Sequence, residues 1–291
     1  MMLVVISIPA YNEEDTISFV IEDIKRVMSS TKYRYKILVV DDGSKDSTVE
    51  VAKAAGAIVQ RKNHTGLIET FKKEMEESLK LKADIIVHTD ADGQYPARYI
   101  PAMIKSVEDG SDLVLGSRFA GEIESMPIVK RIGNIAFAKL FSQICKVKIT
   151  DSTTGFRAFT RDVAQSITYD TDFTYTQEQL IKASRLNFRI EEIPISSKKT
   201  RESRLMKGPF DYAIKAWINI LRLYRDYKPL AFFGKIGILF VLFGLLLGLY
   251  VLYLILDTGL AGGVPRVIFS ALLIMTGVQI ILFGFLADMK K

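Results

Sequence analysis

Apolar residues come in short unbroken runs through the first part of the chain, and each run is followed by a stretch with helical periodicity. "LVVISIP" (Leu3 to Pro9) is one such run, closed by proline, and a helical pattern follows from about Glu13 to Met28. "YKILVV" (Tyr35 to Val40) is the second, with a helix after "DDGSKDS". "AIVQR" (Ala57 to Arg61) is a short third strand, and a charged amphipathic helix runs from Leu67 to about Leu81. "DIIVHTD" (Asp84 to Asp90) and "DLVLGS" (Asp112 to Ser117) are the fourth and fifth. Runs that are apolar throughout belong to strands covered on both faces. Their alternation with helices predicts an α/β fold, a mostly parallel sheet with helices on either side.

The pattern changes near the C-terminus. "IGILFVLFGLLLGLYVLYLIL" (Ile236 to Leu256) and "VIFSALLIMTGVQIILFGFL" (Val267 to Leu286) contain no charged residue. A helix of about 20 apolar residues crosses the roughly 30 Å of hydrocarbon in a bilayer. Only "DTGLAGGVPR" (Asp257 to Arg266) separates the two, so they are expected to form a transmembrane hairpin. The predicted organisation is an α/β domain over residues 1–207, an amphipathic interfacial helix over 208–231, and a hairpin over 232–291 with spans of about 236–256 and 267–286. These windows account for a hydrophobic content of 49% and a mean hydropathy of +0.19. Lys228 and Lys235 precede the hairpin and Lys290 and Lys291 follow it, whereas its turn holds one Asp and one Arg. That bias places the large N-terminal part in the cytoplasm, on a multi-pass protein of the cell membrane. The start, "MMLVVISIPAYNEE", does not fit a secretory signal, because it has no basic opening and reaches acidic residues early. The single cysteine, Cys145, allows no internal disulfide and is expected to be buried. A net charge of +6 suits an anionic partner.

Ligands of open α/β sheets bind at the carboxyl ends of the strands. Here those ends carry "PAYNEE", "DDGSKD", "DADGQYP" and "GSRF", so polar and charged residues from four strands converge on one edge. No G-x-G-x-x-G follows the first strand and no Walker lysine loop is present, which removes the usual dinucleotide and P-loop phosphate cradles. A divalent cation is the remaining natural way to hold a phosphate. Asp90 and Asp92 are hard oxygen donors one residue apart, and Gln94 adds a neutral oxygen. Mg²⁺ or Mn²⁺ prefers such a set and commonly shares itself with substrate phosphates. It would also relieve the repulsion between the two carboxylates. Asp42 is the candidate acceptor for a nucleobase N–H, with Asp41 structural and Ser44 or Asp46 capping the following helix.

The segments "SIPAYNEEDTI", "VVDDGSKDST", "TDADGQYP" and "VLGSRFAGE" resemble the family 2 glycosyltransferases of GT-A fold. Within that family they are similar to the polyprenyl-phosphate sugar synthases, dolichyl-phosphate mannose synthase and its bacterial glucosyl relatives. The resemblance spans about Leu3 to Leu230 and implies site roles. Pro9, Tyr11 and Glu13 would hold the base and ribose, with Val40 and Asp42 on the base. Asp90, Ala91 and Asp92 would contact ribose and diphosphate, and Asp92 with Gln94 and Asp90 would hold the metal. Arg118 would lie near the donor diphosphate and the acceptor phosphate. "KTRESRL" is similar to the family's basic loop, although Arg204 stands where that loop has lysine and Glu202 where it has glycine. Arg201, Arg204 and Lys207 are its expected donor contacts.

Two segments suit an acceptor that is a lipid. "PIVKRIGNIAFAKLFSQICKV" (Pro127 to Val147) and "PFDYAIKAWINILRLYRDY" (Pro209 to Tyr227) are amphipathic, basic and close to the anchor, as interfacial helices are. Arg118 and Arg131 would clamp the lipid phosphate, since Arg presents a planar fork to phosphate oxygens. Asp92, Arg118 and Arg131 are therefore the expected catalytic residues. A sugar hydroxyl needs a general base, whereas a phosphate monoester is already an anion at neutral pH. Asp151 and Glu178 lie where a base would be sought, and Glu178 is expected to be structural. His64 and His88 are not candidates. The expected reaction is an inverting, metal-dependent transfer of a hexose from a nucleotide sugar to a polyprenyl or dolichyl phosphate. GDP-mannose is favoured over UDP-glucose as donor. A membrane-tethered sugar-nucleotide-binding protein without turnover is the alternative of another class. A processive polysaccharide synthase is disfavoured by the missing Gln-x-x-Arg-Trp motif and the single hairpin. The basic residues cluster beside the hairpin, which favours lipid over nucleic acid. A homo-oligomer stays open.

Overall fold

A computed structural model describes residues 2–121, 128–169, 175–197, 218, 221–222, 224–258 and 264–289. The chain divides into two compact units, Met1–Ala213 and Ile214–Lys291. Each is described by itself.

The first unit is built on one sheet. Its strands are β1 (Leu3–Ala10), β2 (Arg34–Asp41), β3 (Ile58–Arg61), β4 (Ile85–His88), β5 (Leu113–Ser117), β6 (Arg157–Thr160) and β7 (Ile190–Pro194), in the order β3-β2-β1-β4-β6-β5-β7. The helices are α1 (Ile17–Ser29), α2 (Thr48–Ala54), α3 (Leu67–Lys80), α4 (Ile100–Glu108), α5 (Ile128–Cys145), α6 (Arg161–Ser166) and α7 (Tyr175–Arg185). Alternate strand residues face opposite sides of a sheet. Val4, Ile6 and Ile8 of β1 join Ile37, Val39, Ile85 and Val87 in one core layer with Ile17, Ile21 and Ile24 of α1 and Met103 of α4. The other face is covered by α3, whose Phe71 packs edge-on against His88 of β4. Strands apolar on both sides thus end up covered on both sides, as their composition predicts.

Two elements go beyond the expected five strands. β6 runs antiparallel between β4 and β5, and β7 extends the sheet parallel to β5. Hence β5 does not pair with β4, and the sheet is mixed while remaining mostly parallel. "RAFT" in β6 is short and starts with arginine, so it carries no apolar signature. Arg157 is nevertheless fully buried. Its guanidinium donates to the carbonyl oxygens of Thr154, Thr176 and Ser152 and to Gln179 Oε1. Burying a cation is tolerated when its donors are satisfied in this way. β4 ends at His88, two residues before the expected limit. Asp90 and Asp92 therefore sit on the turn beyond the strand.

In the second unit, helices Pro229–Thr258 and Val264–Met289 pack side by side. Both are long and apolar enough to cross a membrane. Glycines let their backbones approach closely. A Cβ on Gly237 would lie 2.5 Å from the Gly277 carbonyl oxygen, and one on Gly277 would lie 2.6 Å from that of Gly237. Ser270 Oγ donates to the Gly244 carbonyl at 2.8 Å. Small residues and hydroxyl bonds of this kind hold helices together where water supplies no hydrophobic drive.

Replacing Arg157 by leucine leaves several buried acceptors without donors, at a cost of about 3 kcal/mol. The expected result is a fall in apparent Tm of about 5 °C or more for the full chain in detergent, read by circular dichroism.

Candidate active site

The first two strand ends are stapled together by hydrogen bonds. Asn12, in a left-handed conformation with φ 54°, donates its N–H to Ser44 Oγ at 2.9 Å, and its own Oδ1 accepts from Lys45 N at 2.9 Å. Glu13 N donates to Thr48 Oγ1 at 2.8 Å. Asp46 accepts from Thr48 N at the start of α2, while Ser44 is spent on the staple instead of a cap. Asp41 is fully buried and accepts from the backbone N–H groups of Gly43 and Ser44, the structural role expected of it.

Asp42 is more heavily engaged than a lone base acceptor would be. Lys62 Nζ and Thr65 N donate to its Oδ1, and Gly66 N donates to Oδ2 at 3.0 Å. His64 Nδ1 lies 2.8 Å from the same Oδ2. Burial alone would push this carboxyl up, but the bonds from Lys62, Thr65 and Gly66 outweigh it and hold it below its ordinary range. The His64 ring stacks on Tyr11, with ring centres 4.3 Å apart.

A cleft of about 350 Å³ opens between these loops. Pro9, Tyr11 and Glu13 line it from the first strand end, Asp42 from the second, and Asp90, Ala91 and Asp92 from the fourth. The structure thus gathers most of the expected donor contacts at one place. Val40 is fully buried in β2 and lies behind the wall. Among the described residues, Gln94 and Arg118 do not line this cleft. Arg201, Arg204 and Lys207 lie outside the described residues, as does most of the second amphipathic segment.

The "DADG" turn crowds negative charge. Asp90 has its carboxyl pushed up to about 6, first by burial and then by the carboxylates of Asp92 and Glu74, against the opposing pull of His88 and Arg118. Asp92 Oδ1 accepts from Gln94 N at 3.0 Å, which curls the turn, and Gly93 at its apex has φ 70°. The Asp90 and Asp92 carboxylates both line the cleft, and carboxylate oxygens are donors of the kind that suits a hard divalent cation. Among the described residues no group of three His, Cys, Asp or Glu side chains forms a closed metal cage. A cation here would have to complete its shell with water or substrate oxygens, as Mg²⁺ commonly does.

On the other side, Arg118 is buried and bound bidentately by Asp151, with Nε to Oδ2 at 2.7 Å and a terminal nitrogen to Oδ1 at 2.9 Å. Thr153 Oγ1 accepts from the same guanidinium at 2.9 Å. Burial would weaken its hold on the proton, but Tyr95, Asp151 and Asp90 strengthen it further, so Arg118 stays cationic. Arg131 is exposed on α5. Glu178 is buried on α7 and lies 2.9 Å from Lys182 Nζ, a structural arrangement.

The family model described as glycosyl transferase family 2 matches residues 5–168. This chain belongs to that family. It is a glycosyltransferase. A dolichyl-phosphate hexose transferase of Haloferax volcanii is 36% identical over 64% of this chain and 78% of its own. Glycosyltransferase AglJ of the same organism is 30% identical over 97% of this chain and 91% of its own. Among solved structures, the glucosyl-3-phosphoglycerate synthase of Mycobacterium tuberculosis, in complex with Mn²⁺, uridine diphosphate and phosphoglyceric acid, superposes with a TM-score of 0.59. It is 19% identical, covers 75% of this chain and 78% of its own, and supports the GT-A fold.

In this glycosyltransferase the β3–α3 loop supplies residues that sequence reading passed over. His64, Gly66, Leu67 and Thr70 line the cleft, and Lys62 anchors Asp42. "RKNHTGL" carries no motif, and the four strand ends that do carry one do not include that of β3. The carboxyl-end rule applies to β3 as well, and β3 pairs in parallel with β2, so that rule alone would have led to His64.

Replacing Lys62 by methionine removes the one lysine that pairs with Asp42, whose side chain is 7% exposed. The expected loss is about 1–2 kcal/mol near neutral pH. Because the folded pKa of Asp42 is depressed, this contribution is present above its ordinary value of 3.8 and is lost as the pH falls through the lower folded value. Denaturant unfolding of wild type and K62M should therefore differ near pH 6 and converge as the pH drops below 3.8.

Proposed function

We propose that the protein transfers a hexose from a nucleotide sugar to dolichyl or another polyprenyl phosphate at the cytoplasmic membrane face. GDP-mannose is the favoured donor and UDP-glucose the second. One observation carries the choice of acceptor. Asp151 and Glu178, the carboxylates expected where a base would be sought, are paired with Arg118 and Lys182. An acceptor that brings its own anion needs no base, and a phosphate monoester is such an acceptor. The Haloferax relative named as a dolichyl-phosphate hexose transferase supports this reading.

The donor nucleoside would enter the cleft with its base against Tyr11 and His64 and its diphosphate towards Asp90 and Asp92. A lipid phosphate oxygen attacks the anomeric carbon from the face opposite the leaving group. The bond from that carbon to the nucleoside diphosphate breaks as the new carbon–oxygen bond forms, with inversion and no proton to remove. Arg118, fixed by Asp151, and Arg131 are the cations assigned to the acceptor phosphate. Asp90, Asp92 and Gln94 would hold Mg²⁺ or Mn²⁺, which when bound neutralises charge on the departing diphosphate. α5 suits a place in the membrane interface, because Ile128, Ile132 and Ile135 are exposed beside Arg131 and Lys139. The basic flanks of the hairpin support a cytoplasmic active site.

The test is direct. Full-length protein in detergent, Mn²⁺ and a polyprenyl phosphate are incubated with radiolabelled GDP-mannose or UDP-glucose, and the lipid is extracted. Label in the lipid is expected, with GDP-mannose ahead. Asp92→Asn should lower it by at least about a hundredfold, the scale of losing a transition-state charge contact. No labelled lipid with either donor would sink the proposal.

A further inference from the structure

Four polar side chains interrupt the apolar layer between the sheet and α3, and the chemistry above uses none of them. Ser7 of β1 and His88 of β4 are register partners, and both are fully buried. Glu74 comes down on them from α3, also fully buried. Its Oε2 accepts from Ser7 Oγ at 3.4 Å and lies 2.7 Å from His88 Nδ1. The other ring nitrogen, Nε2, lies 2.8 Å from the hydroxyl of Tyr175, the first residue of α7. The Tyr175 ring stacks on Phe71 with centres 4.1 Å apart.

Packing does not explain this set. Leucine at 74 and phenylalanine at 175 would fill the same layer without burying a carboxylate, and Glu74 Oε1 has no hydrogen-bond partner among the described residues. The set leads to the donor cleft. His88 Nε2 is 3.9 Å from Asp90 Oδ1. Gly155 marks where the phenol and that carboxylate meet, because a Cβ there would lie 2.9 and 3.2 Å from the Asp90 oxygens and 3.2 Å from the Tyr175 hydroxyl.

We propose that Glu74, His88 and Tyr175 are positioning residues, a buried hydrogen-bonded relay that fixes the Asp90 carboxylate in its donor-holding orientation. Glu74 sets the rotation of the imidazole through Nδ1. The imidazole then locates the Tyr175 hydroxyl, and ring and hydroxyl together limit where Asp90 can turn. This inference rests on the reading of Asp90 as a donor contact.

Two measurements test it on the full chain in detergent. The first is calorimetric binding of GDP and of UDP with Mn²⁺, which needs no turnover. Tyr175→Phe, which removes the hydroxyl bonded to His88 Nε2, is expected to weaken binding of the preferred nucleotide up to about tenfold, the upper size of one ordinary hydrogen bond. His88→Ala should do the same, and His88→Gln, which keeps an amide near the hydroxyl, should recover part of the loss. The second measurement is the split in kinetics: a higher KM for the nucleotide sugar, an unchanged KM for the polyprenyl phosphate, and an unfolding temperature for Tyr175→Phe close to wild type. Wild-type binding by Tyr175→Phe overturns the relay. So does a parallel rise of both KM values with a lowered unfolding temperature. Wild-type protein that binds neither nucleotide overturns the reading of Asp90 and the relay with it, and differs plainly from an active wild type with unaffected variants.

Discussion

Negative charge gathered at the carboxyl end of β4 is the constraint on which the rest of this site depends. Burial first, and then the neighbouring Asp92 and Glu74, raise the carboxyl of Asp90. Such crowding is unfavourable unless cations or hydrogen bonds offset it. The protein offsets part of it with Arg118, which is buried and itself held by Asp151. The remaining excess favours a divalent cation and, through it, a diphosphate. The electrostatics and the mostly parallel topology agree, because that topology brings the ends of β1, β2 and β4 to one edge.

Much of this architecture was legible in the sequence. β1, β2, β4 and β5 announce themselves as apolar runs, and the polar motifs at their ends gave Tyr11, Asp42, Asp90 and Asp92 as neighbours before any coordinates. β6 and β7 were not legible for a physical reason. "RAFT" opens with a buried arginine satisfied by the carbonyls of Ser152, Thr154 and Thr176 and by Gln179, and an apolar-run pattern does not register that. The same holds for His64. Its role arises from stacking on Tyr11 and pairing with Asp42, both far away in sequence. His88 looked unremarkable inside a strand because its partners, Glu74 and Tyr175, sit on two different helices. Sequence periodicity reports which face a residue takes, not which polar groups meet there.

The carboxylates of this chain divide by what they do. Asp41, Asp42 and Asp46 take backbone N–H groups and fix the loops that wall the cleft. Asp151 and Glu178 hold cations. Asp90 and Asp92 differ in that both line the cleft and repel each other. The crowded pair at the cleft is thus the place where a bound cation would relieve the most repulsion. A site arranged in this way suits a reaction in which charge has to be neutralised on a leaving group. The transfer proposed above makes that demand, because a nucleoside diphosphate departs with its charge.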